Sequence, residues 1–410
     1  MSAAVQEHDL ETVREQAAQR ARQLGWPTPE MEAWRYTNVA PIERVEWATG
    51  VDRRVPLGGS PFAVASFRGR AFAELVFVNG RLADATGGAS GVDIIPIAEA
   101  ASHPAFERHY ARYADYQRHF FTALNTAHAQ DGALIAVADG ARPEGFVHLL
   151  FIGQGDGVWS HPRNLIVAGR NAEINVVETY VGQGNYFTNS VTEIVAGDGA
   201  AVDYSRIERE STEAFHVGTV QIHQERSATV AAHTIAIGGA LVRSEVKAAL
   251  AGEGASLTLD GLFLLRDRQH IDNHTVIDHV KPHCDSLELY KGILDGKSRG
   301  IFDGLIIVRP DAQKTNSRQV NRNLLLSESA IVDSKPTLEI HNDDVKCNHG
   351  STIGQLDAEA MFYLRARGIG EEEARKLLVY AFASEIVERM KIEPVKEILR
   401  AAIAPAGGIR

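Results

Sequence analysis

Residues 191–232 read VTEIVAGDGAAVDYSRIERESTEAFHVGTVQIHQERSATVAA. Short runs of alternating apolar and polar residues are separated by tight turns. Val202 and Tyr204 follow Ala200 at +2 and +4, and Val230 and Ala232 follow Ala228 in the same way. Alternation with a period of two marks a strand, because successive side chains point to opposite faces. The copies lie 28 residues apart. That is too far for a hairpin and suits one turn of a repeat.

The pattern extends on both sides. Ala172, Ala200, Ala228, Ala255 and Asp285 are spaced 28, 28, 27 and 30 apart. The outer members carry Ile174/Val176, Leu257/Leu259 and Leu287/Leu289 at +2 and +4. Val191, Val220, Val246 and Val276 precede the last four anchors by 9, 8, 9 and 9 positions. Three turns read AGDG, ERS and AGEG. A β/α repeat would need a helix of about ten to fifteen residues per unit. RIERESTEAFHVGTVQIH at 206–223 has no helical stripe. The spacing therefore predicts a mainly β chain whose strands stack rung on rung, a parallel β-helix. Its rungs would lie about 4.8 Å apart, and its open ends would need caps.

Flanking segments have a different texture. MSAAVQEHDLETVREQAAQRARQLG at 1–25 predicts a surface helix that closes at Gly25 before Pro27. Thr28 is placed to cap a short helix carrying Trp34 and Tyr36. Phe106, Tyr110, Tyr113, Phe120, Phe121 and Leu124 predict helix across 103–130. After residue 295 the repeat register blurs, although strand-like pieces continue. From Gln355 the pattern is helical, with Glu371–Glu373 at a helix start and Gly368 ending the helix before it. Ala374, Leu377, Leu378, Ala381 and Phe382 form its apolar face. Three regions follow: 1–130, mostly helical; 131–350, the β-helix core; 351–410, helical.

With 410 residues the chain can bury a large core, and a net charge of −11 without a long basic run argues against a nucleic-acid groove. Two cysteines fit a reducing cytosol better than a disulfide framework. The first residues lack an apolar signal core and no membrane-spanning run is visible, so a cytoplasmic protein is expected.

Two stretches offer metal-like chemistry. HIDNHTVIDHVKPHC at 270–284 holds His270, His274, His279, His283 and Cys284. His-x3-His converges on a metal only on a helix. On a strand, His274 and His279 point to opposite faces, so ordinary hydrogen bonding is the expectation for this cluster. EIHNDDVKCNHGSTIG at 339–354 holds His341, Cys347 and His349. Cys347 and His349 share a face if extended. A thiolate and an imidazole suit iron or zinc, but one pair cannot complete a tetrahedral site. A nucleophile–base pair and a buried thiol beside a turn stand as the other readings.

TLEIHNDDVKCNHGSTIGQLDAEAMFYLRARGI at 337–369 resembles the SufB/SufD family of iron–sulfur cluster assembly proteins, and the SufD type most. EAWRYTN at 32–38, LNTAHAQDG at 124–132, residues 272–304 and DAQKTNSRQVNRNLLLS at 311–327 resemble family segments in the same order. The resemblance implies a right-handed parallel β-helix flanked by helical regions. It implies a non-catalytic scaffold that pairs with SufB through the β-helix and with the ATPase SufC through the C-terminal helices. His349, with Cys347 second, would meet a nascent iron–sulfur cluster shared with the partner chain. No cofactor is expected to stay tightly bound to the lone chain, and His341 is expected to be a bystander. Phe362, Tyr363, Leu364, Arg365 and Arg367 are the candidates for docking the ATPase. A free β-helix edge can also pair with a second copy of the chain. Two other classes compete: a β-helix carbohydrate-active enzyme, and a zinc-dependent hydrolase using residues 270–284.

Overall fold

The computed structural model describes residues 10–49 and 61–404. Strand Ala201–Arg209 pairs in parallel with Glu173–Gln183 on one side and Thr229–Ala236 on the other. Strand Phe215–Gln224 pairs in parallel with Tyr186–Ala196 and Leu241–Leu250. Each central strand thus skips its sequence neighbours and joins the strands two places away. The chain alternates between two sheets, and every circuit adds a rung. The result is a mainly β solenoid of about eight turns with helices at both ends. Ile174, Val202, Val230 and Leu257 from one sheet meet Ile194, Val220, Val246 and Ile277 from the other in one apolar interior.

The corners explain the repeat. Asn171, Gly199, Ser227, Gly254, His283 and Lys314 have φ of 55°, 67°, 56°, 70°, 60° and 60°. Each left-handed residue turns the chain sharply. The residue after it, Ala172, Ala200, Ala228, Ala255, Cys284 or Thr315, tucks inward and is buried. The fifth anchor is therefore Cys284, not Asp285. Ser256 pairs with Asp285, so Leu257 faces Ser286 and Leu259 faces Glu288. A slip of one residue exchanges the two faces of a strand. The slip arises because the outer face here is apolar too: Leu289 and Ile293 lie under a C-terminal helix. The valine column drifts for the same reason, since Val246 pairs with Thr275 and not with Val276.

The ladder does not stop at residue 295. Arg299 pairs with Ile331 and Asn316 with Lys346. The period merely lengthens, because the corner before Asn316 spans 309–315 whereas the corner before Ser256 spans 251–255. Both sheets end at this side of the molecule, one with Ile331–Ile340 and the other with Lys346–Gly354.

Helix Leu10–Leu24 closes at Gly25, whose N–H donates to the Ala21 carbonyl. Thr28 caps no helix. Its carbonyl accepts the Met31 N–H in a turn, and the short Glu32–Trp34 turn that follows leaves Tyr36 outside. Trp34 lies over the Arg243 guanidinium at 3.8 Å, which ties this segment to the outer face of the solenoid. The region 103–130 is two helices, Pro104–His109 and Phe120–His128. A buried carboxylate separates them. Glu193 accepts the N–H groups of Ala111, Tyr113 and Ala114 at 2.8, 2.8 and 2.9 Å. Those amides cannot then serve a continuous helix.

At the other end lie helices Ala358–Ala366, Glu371–Arg389 and Glu393–Ile403. The long helix buries Ala374, Val379, Ala383, Ile386 and Val387, whereas Ala381 is exposed. The expected apolar face is thus rotated. The helix packs Val379, Ala383 and Ile386 on Leu262, Leu264, Leu289 and Ile293 of the sheet. The seam holds charge as well. Arg389 donates to Asp260 at 2.9 Å, and His233 lies 3.4 Å from the same carboxylate. Asp203 and Asp260 outweigh the burial of His233 and hold its imidazole up to about 9.

Candidate functional site

Strand Lys346–Gly354 carries Cys347 and His349 on the face that continues the solenoid interior. Cys347 is in register with Ser317, and His349 with Gln319. Ser317 is in register with Ser286, and Gln319 with Glu288. One rung earlier the same positions are Leu257 and Leu259. The inward face changes from apolar, to hydroxyl and carboxyl, to hydroxyl and amide, to thiol and imidazole.

Among the described residues no further rung covers the last strand, so His349 is exposed while Cys347 keeps contact with the apolar core. Partial burial pushes the Cys347 thiol up, and the Ser317 backbone amide pulls it the other way. The two side chains alternate on one strand face about 7 Å apart along the chain. His341 is not part of this pair; it lies in the preceding corner, 2.8 Å from Glu339. The thiol and the imidazole present soft and borderline ligands at an open edge, with room for further ligands from a second molecule.

Beneath them lie polar residues that the sequence reading passed over. Glu288 is buried in the interior, accepts from Gln319 Nε2 at 2.7 Å, and is pushed up to about 7 by burial. Ser286 and Ser317 hydroxyls meet at 2.7 Å, and Ser286 also bonds His279 at 2.9 Å. Ser334 bridges Asn321 and Ser351, both at 2.7 Å. A sequence signal existed: NSRQVNRN at 316–323 has polar residues at every inward position, Ser317, Gln319, Asn321 and Asn323.

The residues at 270–284 do not converge. His270 and His274 face outward around Asp272, which accepts from Thr37 at 2.5 Å and from Arg243 at 2.6 Å. Arg243 and His274 overcome burial and hold the Asp272 carboxyl well below its usual range. His279 faces inward, where burial pushes it down to about 4. His283 is a left-handed corner residue and Cys284 is a core anchor whose thiol donates to the Gly252 carbonyl at 3.3 Å. Among the described residues no group of three or more His, Cys, Asp or Glu is placed to hold a metal ion.

Helix Ala358–Ala366 starts on an Asp357 cap that accepts the Glu359 and Ala360 N–H groups, and it buries no residue. Phe362 and Tyr363 are 75% and 56% exposed. Arg367 stacks on Tyr363 at 4.3 Å, Arg365 pairs with Glu371 at 3.3 Å, and Leu364 is half-buried.

Residues 151–382 match the SUF system FeS cluster assembly SufBD core domain. The chain belongs to the SufB/SufD family. Residues 2–149 match the SufBD protein N-terminal region. The iron–sulfur cluster assembly protein SufD of Escherichia coli is 32% identical, covering 96% of this chain and 94% of its own length. A SufBD family protein of Synechocystis is 30% identical over 95% of this chain and 90% of its own. The chloroplastic protein ABCI7 of Arabidopsis thaliana is 28% identical over 95% and 85%. This is a SufD-type protein of the SUF iron–sulfur cluster assembly system. Among its described residues no helix is long and apolar enough to cross a membrane.

Proposed function

We propose that this SufD-type chain is a non-catalytic, cytoplasmic scaffold subunit that supplies half of a cluster-assembly site and pairs with SufB and the ATPase SufC. One observation carries the reading: Cys347 and His349 lie together on the inward face of the terminal rung, where among the described residues both sheet edges are unpaired. An unpaired edge is a template for another strand. A second β-helix that pairs there brings its own side chains over the thiol and imidazole and completes the ligand set. The nascent iron–sulfur cluster is cargo, held transiently between the two chains. Without SufB, a second copy of this chain pairs at the same edges.

In this reading residues 131–350 form the pairing body and 351–410 engage the ATPase. Phe362, Tyr363, Leu364, Arg365 and Arg367 form the docking surface. Two large exposed side chains beside two arginines have the composition of an interface hot spot.

Anaerobic reconstitution with SufB and SufC tests the site. His349→Ala lowers cluster yield by about tenfold or more, the scale on which even outer contacts of a metal site act, while the folded chain still pairs with SufB. A wild-type yield from that variant overturns the assignment. Phe362→Ala with Tyr363→Ala abolishes capture of SufC; undiminished capture removes the docking surface from that helix.

A further inference from the structure

Glu288 and Gln319 are buried inside the solenoid, two rungs and one rung below the terminal strand. Glu288 is fully buried, and the groups that act on it are the Thr275 hydroxyl, the Gln319 amide and the Asp260 carboxylate, with no cation among them. Its Oε2 accepts from Gln319 Nε2 at 2.7 Å, which leaves the Gln319 amide oxygen, Oε1, buried and without a hydrogen-bond partner. Leaving a buried acceptor unpaired costs about 1–3 kcal/mol, so such a group calls for an explanation.

The register supplies one. Gln319 is the in-register neighbour of His349, one rung inward. In-register side chains on one face of neighbouring strands lie about 5 Å apart. The His349 ring likewise makes no hydrogen bond among the described residues, and it stands on the same inward face as Gln319. A histidine that gives one ring nitrogen to a metal donates the N–H of the other to a fixed acceptor, which sets its tautomer and direction.

We propose that Gln319 Oε1 is the acceptor for the His349 ring N–H, and that Glu288 holds the Gln319 amide in the orientation that makes it one. Both are positioning residues. Glu288 acts on Gln319, Gln319 acts on His349, and the other ring nitrogen is turned toward the open end. The burial that pushes Glu288 up to about 7 also excludes competing water from the pair. Ser317, in register with Cys347 and bonded to Ser286 at 2.7 Å, gives the neighbouring column the same layered support. The inference rests on His349 being the assembly residue, and its test separates the two claims.

The test reads the His349 ring by nitrogen-15 NMR in the full chain with no metal added. The wild type shows one dominant tautomer. Gln319→Met conserves volume and removes the acceptor; it moves the tautomer ratio by about three- to tenfold, the size of one hydrogen bond. Glu288→Gln keeps an acceptor for Gln319 Nε2 and leaves the ring near wild type, whereas Glu288→Met behaves like Gln319→Met. If Gln319→Met does not fold, Glu288→Met reads the same contact with Gln319 still in place. Ring signals unchanged in whichever of these variants folds overturn the proposal, since a merely structural role moves thermal stability and not the tautomer. If the ring responds but His349→Ala still builds cluster with SufB and SufC, the positioning stands and the assembly role fails.

Discussion

The middle rungs and the terminal rung use the same inward positions in opposite ways. Leu257 and Leu259 fill a closed interior, and Leu259 is 1% exposed. Three rungs on, Cys347 and His349 hold the equivalent places on the last strand of that sheet among the described residues. The two cysteines repeat the contrast. Cys284 is a corner anchor locked in the core, and burial pushes its thiol up. Cys347 is half-covered. A repeat thus creates many equivalent positions, and only the position along the stack decides whether one is packing or chemistry.

Four measurements can break or sharpen that contrast. Leu259→Ala has the largest effect: it leaves a cavity and lowers stability by about 2–5 kcal/mol in urea titration. A loss below 1 kcal/mol would mean that the middle rungs are not the closed core described here.

Second comes the pH dependence beneath the C-terminal helices. His233 is held up to about 9 by Asp203 and Asp260. Its folded pKa lies above the unfolded value of about 6.5. Its contribution is therefore complete below about pH 6.5 and is lost as pH rises through about 9. The unfolding free energy from urea titration should fall over that window by an amount on the order of 3 kcal/mol, and His233→Asn should flatten the fall. An equally steep profile in the variant would assign the loss to other groups.

Third, Glu288 is an acid whose folded value is raised to about 7. The fold favours its protonated form, so its contribution is present below about pH 4.5 and is lost as pH rises toward 7. Glu288→Gln is then more stable than wild type at pH 8 by about 1–3 kcal/mol and equal to it at pH 4. A destabilised variant at pH 8 would mean that the charged form is paired in the interior.

The smallest effect is that of His349→Ala on folding. The ring is exposed and a single hydrogen bond to Gln319 is at stake, so stability should fall by no more than about 1.5 kcal/mol. A larger loss would show the terminal rung to be core after all.

The β-helix was legible because the strand period and the corner period are both local. A left-handed residue followed by a buried one recurs at the corner that precedes the strands starting at Glu173, Ala201, Thr229, Ser256, Asp285 and Asn316. Faces were less legible. Along Asp285–Leu294 the outer face is apolar as well, with Leu289 and Ile293 under a helix, so alternation could not say that Leu287 and Leu289 both point outward. The break between Pro104–His109 and Phe120–His128 was hidden for a related reason. The carboxylate that takes its amides, Glu193, lies about eighty residues away in the chain.

By itself the sequence determined the architecture, the family resemblance and the pair Cys347 and His349, because short-range periodicity and contiguous motifs carry that information. It also held the polar run at 316–323, without saying what the run faces. Only the tertiary structure decided which residues share a column across rungs. Register depends on corner lengths that vary from turn to turn, and one residue of slip exchanges inside for outside. That is why Glu288 and Gln319 entered the account of His349 only when the rungs were stacked.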